Sequence, residues 1–170
     1  MGMIANSLLP EFDHEAANTR KTLERVPEAK FDFKPHTKSM SLAQLASHLA
    51  ELPHWGSVTI AEEFFDVAPP GAPPYQPYIA KTTAEVLERF DKHIAATRAA
   101  LAAADDAAMM KNWSLLAGGK PMFTMPRVAV FRGMIMNHLI HHRGQLSVYL
   151  RLLDVPVPAL YGPSADEGQM

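Results

Sequence analysis

Residues 125–153, MPRVAVFRGMIMNHLIHHRGQLSVYLRLL, decide how this chain is read. On a helical wheel at ~100° per residue, Val128, Phe131, Ile135, Leu139, Leu146, Tyr149 and Leu153 fall within about 60° of one direction, the mark of a helix with one buried face. Pro126 suits a first turn, where its missing N–H has no intrahelical partner. His138 and His142 fall inside the same apolar sector. Four residues apart, they lie one turn from each other on a single face. His141 points to the flank.

Working outward, a second helix carries the clearest start signal. Ser41-Leu42-Ala43-Gln44 is a capping box, in which the Ser41 hydroxyl and the Gln44 amide satisfy each other's backbone N–H groups. The helix is expected to run to about Asp66 with a kink at Pro53. His48, Leu52, Trp55 and Thr59 share its inner face, whereas His54 does not. A first helix is expected from Ile4 to Val26. A third, opened by a second capping box at Thr82-Thr83-Ala84-Glu85, should end near Ala104, with Asp105 and Asp106 unfavourably placed for a helix C-terminus. Residues 28–40 read as a loop. Residues 67–81, VAPPGAPPYQPYIAK, hold five prolines and cannot be regular helix, so they form a long crossover between helices 2 and 3. Residues 112–124 suggest a short hairpin around Gly118-Gly119, and the tail from 154 to 170 is non-helical. The expectation is an all-α, four-helix bundle in one domain spanning 1–170, with its core over about 4–153.

Composition narrows the chemistry. There is no cysteine in the 170 residues, which removes disulfides and thiolate ligands, fits a reducing cytoplasm, and leaves nitrogen and oxygen as the metal donors. The formal net charge is −2 with no basic stripe, an arrangement that argues against nucleic-acid binding. No stretch approaches the ~20 apolar residues of a membrane span, and early acidic residues at Glu11, Asp13 and Glu15 argue against a leader.

Eight histidines stand out. Three neutral imidazoles facing a core each need a partner, since an unpaired buried polar group costs about 1–3 kcal/mol. One divalent cation would satisfy His48, His138 and His142 together and leave a coordination position open, as in catalytic sites. The alternative is a structural bundle whose histidines bond to each other or to water. H-E-x-x-H is absent, because Leu139 follows His138, so a zincin-type protease is not expected. His93, near the inner edge of the third helix, is either a residue that approaches the pocket or a partly buried, singly hydrogen-bonded one; His14 and His36 should be surface residues, and Met134-Ile135-Met136 core filling.

The motifs resemble a known family. Ser41-Leu42-Ala43-Gln44-Leu45-Ala46-Ser47-His48-Leu49-Ala50-Glu51 with Trp55, the run from Asn137 to Leu146, and the tail Pro156–Glu167 are together similar to the DinB/YfiT-like family. The resemblance covers nearly the whole chain. It implies a four-helix bundle with a long crossover, a homodimer, and a metal (nickel, zinc or iron) on His48, His138 and His142. Relatives include S-transferases that use a low-molecular-weight thiol such as bacillithiol or glutathione, and a mycothiol-dependent isomerase. A metal-dependent transferase or hydrolase of small molecules is therefore expected. The alternative is a non-catalytic metal- or ligand-binding stress-response protein. Arg143 and Tyr161 are weighed as pocket residues, Gln145 as a hydrogen-bond partner of a ligand or a histidine, and Glu51 and Glu62 as carboxylates without an assigned place.

Overall fold

The structure is a computed structural model that describes residues 2–168. Helix α1 (Met3–Leu23) begins near the predicted point and stops three residues early. Helix α2 (Leu42–Ala61) starts at the capping box, with both reciprocal bonds formed: Gln44 N donates to Ser41 Oγ at 3.2 Å, and Ser41 N donates to Gln44 Oε1 at 2.8 Å. It ends at Ala61 rather than Asp66, because Phe64–Asp66 leaves as strand β1. Helix α3 (Thr83–Ala103) is capped by Thr82, while the Glu85 carboxylate reaches the Lys81 amide and the Tyr78 hydroxyl. Asp105, unsuited to a helix end, instead caps a new short helix α4 (Asp106–Met110) by accepting from Ala108 N at 2.7 Å.

The predicted hairpin is present: β2 (Asn112–Ala117) pairs antiparallel with β3 (Lys120–Pro126). Its turn residues Gly118 and Gly119 have φ of 62° and 75°, the left-handed region that a tight two-residue turn demands. Strand β1 adds to β2 in parallel, which makes a three-stranded sheet ordered β1-β2-β3. The chain is therefore mostly helical but not all-α. The Asp66 carboxylate accepts from Ala68, Gly118 and Gly119 amides and so ties β1 to the hairpin turn.

The last long helix is one rod of three parts: α5 (Arg127–Val130), a π-helical segment Phe131–Met136, and α6 (Asn137–Leu152). Among the long helices, α1 touches α3 and α6, and α2 touches α3 and α6, so the four pack in a ring. One core cluster joins Leu23, Leu45, Leu49, Phe90 and Leu146; a second joins Leu8, Phe12, Leu101, Met109 and Phe131. Met136 and Ile135 are core residues as expected, but Met134 is exposed. No described helix is long and apolar enough to cross a membrane.

Helix α2 continues through Pro53. The amide that would normally bond the Pro53 carbonyl, that of Ser57, donates instead to Thr97 Oγ1 at 3.1 Å, and the Thr97 hydroxyl donates to the Pro53 carbonyl. A side chain from α3 is thus inserted into the α2 hydrogen-bond ladder. Gly56 permits this approach, since a Cβ there would lie 2.6 Å from Thr97 Cγ2.

Candidate metal centre

The capping box sets the register of α2 and brings His48 to the side that faces the last helix. Ser47 Oγ accepts from Ala80 N at 2.9 Å, which ties the crossover beside that histidine. On the last helix, His138 and His142 follow directly after the π-helical segment. They are half-buried on the flank of the core stripe rather than within it.

The three rings converge. His142 Nε2 lies 2.8 Å from His138 Nε2, and His48 Nε2 lies 3.4 Å from His138 Nε2. One donor atom from each ring can be chosen so that all lie within 4.8 Å of one another. Two nitrogens bound to a single ion at about 2.0–2.1 Å stand about 2.8–3.4 Å apart for octahedral or tetrahedral angles. The observed spacings match that window closely. These residues lie close enough to hold one metal ion.

Their outer nitrogens decide which protons they carry. His142 Nδ1 is 2.7 Å from Gln145 Oε1, and with that nitrogen as the donor the neutral ring presents a bare Nε2 to the centre. For the His138 ring, burial outweighs the backbone of Met134, which favours the protonated form. Met134 belongs to the π segment, whose wider i→i+5 turns are frequent at functional sites.

Burial lowers the pKa of all three imidazoles. For His48, burial first and then the neighbouring His142 and His138 push the value down from 6.5 to about 4, against the opposing pull of Glu51. For His138 and His142, burial is also the largest cause of the fall, opposed by their hydrogen bonds to Met134 and Gln145.

The remaining candidates separate. His54 is exposed, its ring 5.0 Å from that of His93. His93 is buried, with Nδ1 donating to the Ala50 carbonyl at 2.9 Å, and takes no part in the cluster. His14 and His36 make only short-range bonds with Asn18 and Lys38 at the surface. Glu62 is exposed and offers its backbone carbonyl to Arg127. Glu51, by contrast, is buried in the wall of a cavity of about 390 Å³ that His48 and His138 also line.

Arg143 and Tyr161 do not line that cavity. Arg143 is 2% exposed and its Nη1 lies 2.6 Å from Glu15 Oε2 on α1. The Tyr161 hydroxyl donates to Glu15 Oε2 at 2.7 Å and accepts from Arg143. The sequence does not announce this ion pair; the one local sign is that Arg143 falls at heptad spacing between the buried Met136 and Leu150, which marks its position as inward without naming a partner. The crossover also has more than a connecting role: Tyr75, Pro77, Tyr78 and Ile79 form one cavity wall.

The fold and site together define a mostly helical protein with three convergent imidazoles beside an apolar cavity. The chain belongs to the DinB family, whose sequence model matches residues 1–169. It is similar in fold to DinB-like proteins from Bacillus subtilis (TM-score 0.67, 17% identity, covering 96% of this chain and 99% of that one) and Bacillus cereus (0.70, 19%, 92% and 97%). A putative DinB member from Exiguobacterium sibiricum is also similar (0.59, 20%, 91% and 94%). No curated protein sequence matches the chain.

Proposed function

We propose that this DinB-family chain, read as a single four-helix-bundle domain with an inserted sheet, binds one divalent metal through the Nε2 atoms of His48, His138 and His142. It uses that ion as an enzyme acting on small molecules, of the S-transferase or hydrolase type. The observation that carries the metal is the convergence of three imidazole nitrogens, with His138 Nε2 2.8 Å from His142 Nε2 and 3.4 Å from His48 Nε2, spacings that a shared divalent ion produces. Burial disfavours the protonated rings, which supports a metal as their common partner.

A divalent ion held this way supplies Lewis acidity toward a water or a thiol. The protein's own contribution is orientation: Gln145 meets the His142 ring, and the capping box sets the register of the helix that carries His48. Nickel, zinc and iron all suit imidazole donors. We place the protein in the cytoplasm as a homodimer; light scattering that finds only an 18.7 kDa species would remove the dimer.

Elemental analysis of untagged protein should find about one metal equivalent per chain. His48→Ala and His138→Ala should each lose it, and His54→Ala should keep it. Absence of metal from the wild type under all loading conditions ends this reading. Turnover is tested by supplying low-molecular-weight thiols with the electrophile monochlorobimane; consumption no faster than in His142→Ala removes the S-transferase form.

A further inference from the structure

We infer that the cavity beside the histidines selects an uncharged, aromatic small molecule, and that Glu51 is the residue that turns anions away. This rests on the proposed function only in treating the cavity as the substrate seat. At about 390 Å³ it is within the range of small-ligand sites. Its aromatic faces come from four separate elements: Trp55 of α2, Tyr75 of the crossover, Trp113 of β2 and Phe123 of β3. Trp113 and Leu115, two apart on β2, both face it, and Leu115 pairs with Phe123 across the hairpin. Trp55 is already held edge-on by Phe65 at 4.7 Å and by Tyr75 at 5.8 Å. The wall is therefore pre-packed, and a flat ring extends an existing array of edge-to-face contacts.

Charge decides the class. Glu51 is the one formally charged residue in the lining. Its partner Arg89 reaches it from α3, with Nε 2.5 Å from Glu51 Oε1, and lies outside the lining. The Arg89 guanidinium is also stacked 4.0 Å from the centre of the Tyr78 ring. Away from the histidine centre, no unpaired Lys or Arg among the described residues lines the cavity, so an anion seated on the aromatic wall would give up its hydration without compensation. A neutral aromatic molecule gives up little and buries its surface. Its reactive end would lie toward His48 and His138.

The test uses two probes with the same rings: neutral N-phenyl-naphthylamine and its sulfonated counterpart, anilinonaphthalenesulfonate, titrated by fluorescence into chelator-treated protein. The neutral probe should bind saturably, one per chain, and at least about tenfold tighter than the sulfonate. Leu115→Trp, which fills the cavity, and Ile79→Asp, at an exposed position that tolerates change, should each weaken the neutral probe by about tenfold or more. Glu51→Gln frees Arg89 and should shrink the preference over the sulfonate. Equal binding of the two probes by the wild type overturns the inference, as does neutral-probe binding that neither cavity variant disturbs. A preference unchanged in Glu51→Gln overturns the role of Glu51. Because the metal is removed throughout, a protein that binds the probe but never metal would refute the proposed function and leave this inference standing.

Discussion

At His142 the decisive contact is with a neighbour three residues on. Gln145 Oε1 lies 2.7 Å from Nδ1, and with that nitrogen as the donor an unprotonated Nε2 is aimed at the other rings. Gln145→Ala should keep the fold, since the residue is exposed, yet lower metal affinity by about 10–100-fold, as loss of an outer partner does. Competition against a chromophoric chelator measures this, and unchanged affinity would mean the ring needs no such guide. A second residue carries the opposite lesson. Thr59 is 0% exposed and its hydroxyl has no partner among the described residues. Thr59→Val keeps the shape and removes the orphan, so urea denaturation should show a gain of about 1 kcal/mol. The histidines were legible in the sequence because i, i+4 spacing on one helix and a capping box on another fix directions locally. Arg143 was not legible, because its partner Glu15 is 128 residues away and nothing near either position announces the pair.

Among the elements, local signals gave the starts of helices better than their ends. Ser41, Thr82 and Asp105 all cap helices, and Gly118-Gly119 marked the hairpin. Phe64-Phe65 continues an apolar run and so reads as helix; what makes β1 a strand is its parallel pairing with β2, some 50 residues later (Phe64 opposite Ser114). The π segment was equally hidden, as no residue type specifies it. Its presence also explains why a uniform wheel put His138 and His142 too centrally. The Pro53 site shows how two elements compensate each other: proline removes one ladder bond, and the Thr97 hydroxyl fills the next. Gly56→Ala tests this contact. Alanine favours helix over glycine by about 1 kcal/mol, but its Cβ would meet the fixed Thr97 side chain at 2.6 Å. Overpacking of this kind costs about 1–3 kcal/mol, so the net effect should be destabilising, against the usual direction for glycine in a helix. A higher melting temperature would show that α3 can retreat freely.

Across the whole molecule, the Arg143–Glu15–Tyr161 network ties the metal-bearing helix to α1 and to the C-terminal tail. With side chains only 2% and 7% exposed, removal of one partner leaves a buried charge alone; Arg143→Leu should cost about 3–5 kcal/mol, while joint replacement of both by apolar residues should cost far less. The other global effect is on pH dependence. The folded chain holds His48 near 4, against 6.5 in an unstructured chain, and lowers His138 and His142 as well. Between those values the unfolded chain binds more protons, so stability rises with pH there. In metal-free protein the histidines' contribution should be fully present above 6.5 and be lost as pH falls toward about 4. Protons compete with metal for the same Nε2 atoms, so loaded protein should release its ion as pH falls across that window. His48→Gln removes the largest of these shifts, and its urea midpoint should vary less steeply with pH than that of the wild type. A variant as steep as the wild type would show that carboxylates, rather than the buried imidazoles, set the acid limit.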